Sequence, residues 1–144
     1  MTAEALFSYA STLVLPGWLL LIFLPHWRYS ATLISGLIIP VLLAFLYGWL
    51  IFSNMGSSEG GFDSLAEVRT LFSNDFLLLA GWVHYLAFDL FIGSWEVRDS
   101  QRLGIHHLAV IPCLLLTFML GPVGLLVYLA IRVGWKKAVV LDHA

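Results

Sequence analysis

Charge is what this chain has least of. Only 11% of its 144 residues are Asp, Glu, Lys or Arg, against about a quarter in ordinary soluble domains. The net charge is −2 and there is no basic arm, which excludes nucleic acid as a partner. Cysteine is almost absent: Cys113 stands alone, so an intramolecular disulfide and a thiolate-rich zinc site are both ruled out. No segment repeats and none is low in complexity. The first apolar run has no basic region before it and no small-residue cleavage site after it, and it reads as a retained helix rather than a signal or transit peptide.

What fills the chain instead is apolar. Hydrophobic residues make up 60% and the mean hydropathy is +0.92. A hydrocarbon core about 30 Å thick takes about 20 apolar residues per helical crossing, and four windows qualify, at 7–24, 32–52, 76–95 and 108–132. The expectation is an all-α, multi-pass integral membrane protein whose 144 residues form a single membrane domain, a four-helix bundle in contact with the lipid bilayer. A short surface helix is expected between spans 2 and 3, where Ser64-x-x-Glu67 forms a capping box and Leu65, Val68 and Phe72 share a face. Ser73 or Asn74 is placed to cap the third span, with Asp75 in its first turn.

If all four windows cross, both termini share one side with the long loop. Pro16, Pro40 and Pro112 then lie at similar depth to Asp89, roughly 9–13 Å in at 1.5 Å per residue. Three helices weakened at one depth open a polar cavity towards the link between spans 1 and 2. In that arrangement Arg28, Arg98 and Arg102 oppose Arg69, Arg132, Lys136 and Lys137. The C-terminal cluster tips the termini towards the cytoplasm.

The chemistry concentrates between Gly81 and His107. His84 and Asp89 sit inside an apolar helix, while Glu96, Asp99, His106 and His107 surround the next turn. An ionisable side chain at bilayer depth costs roughly 2.5–3.5 kcal/mol, so it usually has a partner and a task. At about 100° per residue Trp82, Tyr85, Asp89 and Glu96 share one face, with His84 about 140° from Asp89. Three readings follow. The groups are structural partners of nearby arginines and freed carbonyls; or His84, Asp89, Glu96, Asp99, His106 and His107 supply ligands to a divalent metal; or a carboxylic acid and a histidine perform acid/base chemistry on a lipid-soluble substrate.

Trp82-x-His84-x-x-x-x-Asp89-Leu90-Phe91, then Asp99, His107 and Gly121-Pro122-x-Gly124, resemble the membrane proteins related to plant neoxanthin synthase, the factor whose loss causes abscisic acid deficiency. The resemblance covers the whole apolar region, with its specific part in the second half. Plant members act in the conversion of violaxanthin to neoxanthin, an isomerisation in which an epoxide opens and an allene forms. The resemblance implies His84, Asp89, Asp99 and His107 as catalytic candidates; Glu96 and His106 are additions from this chain. The segment Ser94-Trp95-Glu96-Val97-Arg98 is similar to bacterial relatives, which implies a bacterial cytoplasmic membrane. The leading expectation is therefore an isomerase of a carotenoid or related isoprenoid, needing no cofactor, with Asp89 as acid and His84 or His107 as base. The alternatives are a non-catalytic carotenoid-binding subunit of a larger membrane complex and a His/carboxylate metalloenzyme.

Overall fold

The computed structural model describes residues 1–139. Among them every regular element is helical. Helix α1 spans Ala3–Phe23, with the Thr2 hydroxyl accepting the Ala5 N–H as its N-cap. After the Pro25–Tyr29 link the chain winds as a π-helix over Ser30–Ile38 and then as α2 over Ile39–Asn54. The wide turns end at Pro40, which has no N–H to donate and restarts the α register. Inside this stretch the Ser35 hydroxyl donates to the Gly17 carbonyl at 2.9 Å, tying it to α1.

A short helix, α3 (Leu65–Leu71), follows the loop, and the Ser64 hydroxyl accepts the Glu67 N–H at 3.2 Å as its cap. Leu71 is buried against the bundle, while Leu65 is 78% exposed. Asn74 caps α4 (Asp75–Leu103) through N–H bonds from Phe76 and Leu77, with Asp75 in the first turn as predicted. This helix is the axis of the molecule, touching α1, α2 and the π-helix as well as both helices that follow. Glycines let those neighbours close in: a Cβ on Gly93 would meet the Trp18 ring at 2.7 Å, and one on Gly17 would meet Leu90 at 2.9 Å. Such contacts matter because lipid tails are as apolar as Leu, leaving close packing and hydrogen bonds to hold helices together.

Gly104, in the left-handed region at φ 63°, ends α4, and the Ile105 N–H reaches back to the Ser100 carbonyl at 2.8 Å. The window at 108–132, expected as one span, is two helices. Helix α5 (His107–Leu120) stops at Gly121, where φ is 47° and ψ −98°, and α6 (Pro122–Lys136) starts with proline at its first position. Helix α6 then runs back beside α5. A Cβ on Gly124 would lie 2.1 Å from the Thr117 nitrogen, so only glycine permits that return. Tyr128 meets Trp95, Arg132 meets Asp99, and Lys136 ends beside Gly104. Three stretches are long and apolar enough to cross a membrane, Ala3–Phe23, Ser30–Ser57 and Asp75–Leu103. The fourth forms a hairpin about 21 Å deep, from 14 residues at 1.5 Å each.

Candidate functional site: carboxylates facing a helical hairpin

The hairpin lies against the face of α4 that periodicity marks as polar. From its tip outward it meets Tyr85, Asp89, Glu96 and Asp99 in turn. Pro122 cannot donate to the Phe118 carbonyl, and the Tyr85 hydroxyl does so instead at 2.9 Å. Asp89 faces the tip itself, its carboxylate oxygens 2.9 and 3.2 Å from where a Cβ on Gly121 would stand. Glu96 is fully buried and accepts the Thr117 hydroxyl at 2.9 Å. One oxygen of each of these two carboxylates, Oδ2 of Asp89 and Oε2 of Glu96, is buried without a hydrogen-bond partner. Polar atoms left so are rare in native proteins and mark places where a ligand, a proton or water completes the bonding.

Asp99 is the opposite case. It accepts from Tyr128 at 2.6 Å, from Arg102 at 2.7 Å and from Arg132 at 2.8 Å. Arg132, 1% exposed, also donates to the Ala138 carbonyl. The group fastens α6 to α4 and fills the end of the bundle where a polar cavity was expected. Tyr128 and Arg132 were not foreseen, because a continuous fourth span would carry them to the far side; the Gly121-Pro122-x-Gly124 sequence is the signal that locates them.

The histidines do not join the carboxylates. His84 is exposed on another face of α4, its ring stacked on Phe88 at 4.5 Å and near Tyr47 at 5.8 Å. His106 is exposed and caps α5, its Nδ1 accepting the Leu108 N–H. His107 pairs through Nε2 with the Ile22 carbonyl at 2.9 Å, closing the end of α1. The helical rise sets it about 21 Å from the hairpin tip. Among the described residues no group of three or more His, Cys, Asp or Glu is arranged to hold a metal ion; His84, Asp89, Glu96, Asp99, His106 and His107 are not one donor set. Pro16 and Pro112 are exposed and border neither of the two clefts described below.

The open space lies at the loop end instead. A cleft of about 1140 Å³ is bordered by Phe7, Tyr47, Phe72, Trp82, His84 and Tyr85. A second, of about 340 Å³, runs between α1 and the hairpin tip past Ser11, Val14, Tyr85, Phe118 and Met119. Trp82 and Tyr85 wall both. Trp82 is held by its indole N–H on the Ser11 hydroxyl at 3.0 Å and by ring contacts to Phe7 and Tyr85. Asp89 stands one helical turn beyond Tyr85.

Fold and site together define a small all-helical protein of membrane-crossing proportions whose polar centre is a row of carboxylates on one helix, faced by a helical hairpin. The family model described as ABA DEFICIENT 4-like matches residues 5–128, and the chain belongs to that family. It is 24% identical over 106 residues to Protein ABA DEFICIENT 4, chloroplastic, of Arabidopsis thaliana, an alignment covering 68% of this chain and 48% of the relative. The chain thus spans about half the length of the curated relative it matches. No solved structure matches it.

Proposed function

We propose that this chain is a multi-pass protein of a bacterial cytoplasmic membrane that isomerises a carotenoid or related isoprenoid, with Asp89 as its principal proton-transfer group. The observation that carries the reading is the unpartnered, buried Oδ2 of Asp89, one turn beyond two aromatic-walled clefts suited to a long apolar substrate. Family membership supports an isoprenoid of the carotenoid kind. Opening an epoxide to an allene leaves the formula unchanged: a proton goes to the oxygen as its C–O bond breaks, and another leaves the adjacent vinylic carbon. Asp89, one turn from the Tyr85 that walls both clefts, is the acid of this reading. His84, which borders the larger cleft, is the base of this reading, since His107 is engaged with the Ile22 carbonyl.

The test uses purified protein in mild detergent with an epoxy-carotenoid, followed by chromatography of the pigments. Wild type forms the allenic isomer, while Asp89→Asn keeps its helical content and its bound pigment but loses turnover by a factor of about 100 or more, the usual scale of a general acid's contribution. Wild type that binds pigment and never converts it would establish the alternative, a carotenoid-binding subunit of a membrane complex. That alternative has its own support in the separation of Asp89 from His84 and His107.

A further inference from the structure

The returning hairpin decides where the cations end up. The Gln101 amide donates to the Pro25 carbonyl at 2.6 Å, which sets the link carrying Arg28 beside the end of α4. Arg102 and Arg132 both bind Asp99, and the Lys136 ammonium lies 3.9 Å from where a Cβ on Gly104 would stand. Six of the seven Lys and Arg residues, all but Arg69, therefore gather at one end. The carboxylates near them, Glu96 and Asp99, are buried. Every exposed carboxylate among the described residues, Glu4, Glu59, Asp63, Glu67 and Asp75, belongs to the other end, where Asn74 is bonded to Ser58 and the start of α1 borders the same cleft as Asp75. Trp27, Tyr29 and Trp135 are exposed at the cationic end, where a headgroup-level aromatic belt belongs.

We propose that α5 and α6 enter and leave the bilayer from one side, and that the end bearing Arg28, Arg98, Lys136 and Lys137 is a binding surface for the anionic phospholipid headgroups of the cytoplasmic leaflet. The inference rests on the membrane reading above but not on catalysis. A hairpin about 21 Å deep falls short of a core about 30 Å thick. The positive charge then biases this end inward, and among the described residues acidic headgroups meet a surface with no competing exposed carboxylate. It changes the expected topology in its first half: the described start of α1 and the long loop face outward, while the end of α6 faces the cytoplasm as expected.

The side is read by labelling Glu59→Cys and Lys137→Cys, with Lys136→Cys as a second reporter, in full-length Cys113→Ala protein in bacterial membranes, using a membrane-impermeant maleimide. Position 59 labels in right-side-out vesicles, and 136 and 137 only in inside-out ones. Labelling of all three from one face overturns the hairpin, and the inverse pattern overturns the cytoplasmic assignment. Purified protein is then exposed to mixed phosphatidylglycerol and phosphatidylcholine, and retained lipid is counted by native mass spectrometry. Wild type favours phosphatidylglycerol, and Lys136→Gln/Lys137→Gln lowers that preference at least threefold; equal retention of the two lipids by wild type overturns the lipid surface. Recovery of the protein in the soluble fraction would instead sink the membrane reading itself.

Discussion

The contact between Asp99 and Arg132 is the sharpest consequence of the folded-back hairpin. Were residues 108–132 one helix, Arg132 would stand about 36 Å along the axis from the start of that span, beyond reach of Asp99. In the structure the two are 2.8 Å apart and both are buried. Asp99→Asn weakens three charge-assisted bonds at once and takes a counter-charge from buried Arg132, a loss of about 3–5 kcal/mol. Arg132→Gln removes one of the three donors, and Asp99 keeps Tyr128 and Arg102, so about 1.5–3 kcal/mol is expected, the scale of a single charged hydrogen bond. Because each mutant already loses the shared contact, the double mutant costs less than the sum, by a coupling of about 1–3 kcal/mol. Reversible unfolding in mixed micelles, by titrating a denaturing detergent, measures all four variants. Additivity within about 0.5 kcal/mol would mean that the pair does not meet and that α6 does not return along α4.

Gly121→Ala places a methyl group within 3.2 Å of both Asp89 oxygens at a φ of 47°; strain of about 1–3 kcal/mol lowers the thermal midpoint. Gly134→Ala, where a Cβ meets nothing within 4 Å, holds or slightly raises that midpoint, by up to about 1 kcal/mol of helix propensity. An equal drop in both would refute the hairpin-tip geometry. Thr117→Val leaves both oxygens of buried Glu96 without a donor and costs about 1–3 kcal/mol. The same midpoint measured for Glu96→Gln, which keeps the Thr117 bond to its amide oxygen, stays within about 1 kcal/mol of wild type.

Local signals carried much of this fold. The Ser64 and Asn74 caps, the start of the third long helix, and the shared face of Tyr85, Asp89 and Glu96 follow from capping chemistry and a 3.6-residue period. The end of that helix lies later than expected: α4 runs past Trp95 to Leu103 and carries Glu96 and Asp99, expected in a link. The π-helix did not follow from such signals, since nothing in an apolar run distinguishes a turn of wider pitch until Pro40 is seen to end it. The hairpin was half visible: Gly121-Pro122-x-Gly124 announced a break, yet hydropathy reads an apolar pair of helices and one long span alike. That single ambiguity separated Tyr128 and Arg132 from Asp99 and set the C-terminal lysines at the opposite end of the bundle from Arg98 and Arg102. His84, His106 and His107 looked like one cluster because sequence proximity hides direction; their partners are an aromatic stack, a helix cap and a carbonyl on another helix.

The groups on the polar face of α4 differ in how fully they are engaged. In lipid every backbone group at the hairpin tip needs a partner within the protein, and Tyr85 supplies one to Phe118. Glu96 holds Thr117 through one oxygen, and Asp99 secures α6 through three donors. Asp89 interacts with the Tyr85 hydroxyl, while its Oδ2 is buried without a hydrogen-bond partner and its carboxylate closes on the glycine where the hairpin turns. Retaining an ionisable group at membrane depth is costly, and on the proposed reading the open Oδ2 of Asp89 is where the proton is transferred. Stability and activity should therefore diverge along one helix face: Asp99→Asn loses several kcal/mol of stability and its activity falls with its fold, whereas Asp89→Asn stays within about 1 kcal/mol of wild type and loses activity alone. If Asp89→Asn unfolds as readily as Asp99→Asn, the carboxylate at the tip is one more fastening of the hairpin, and the catalytic centre must be sought elsewhere along the clefts.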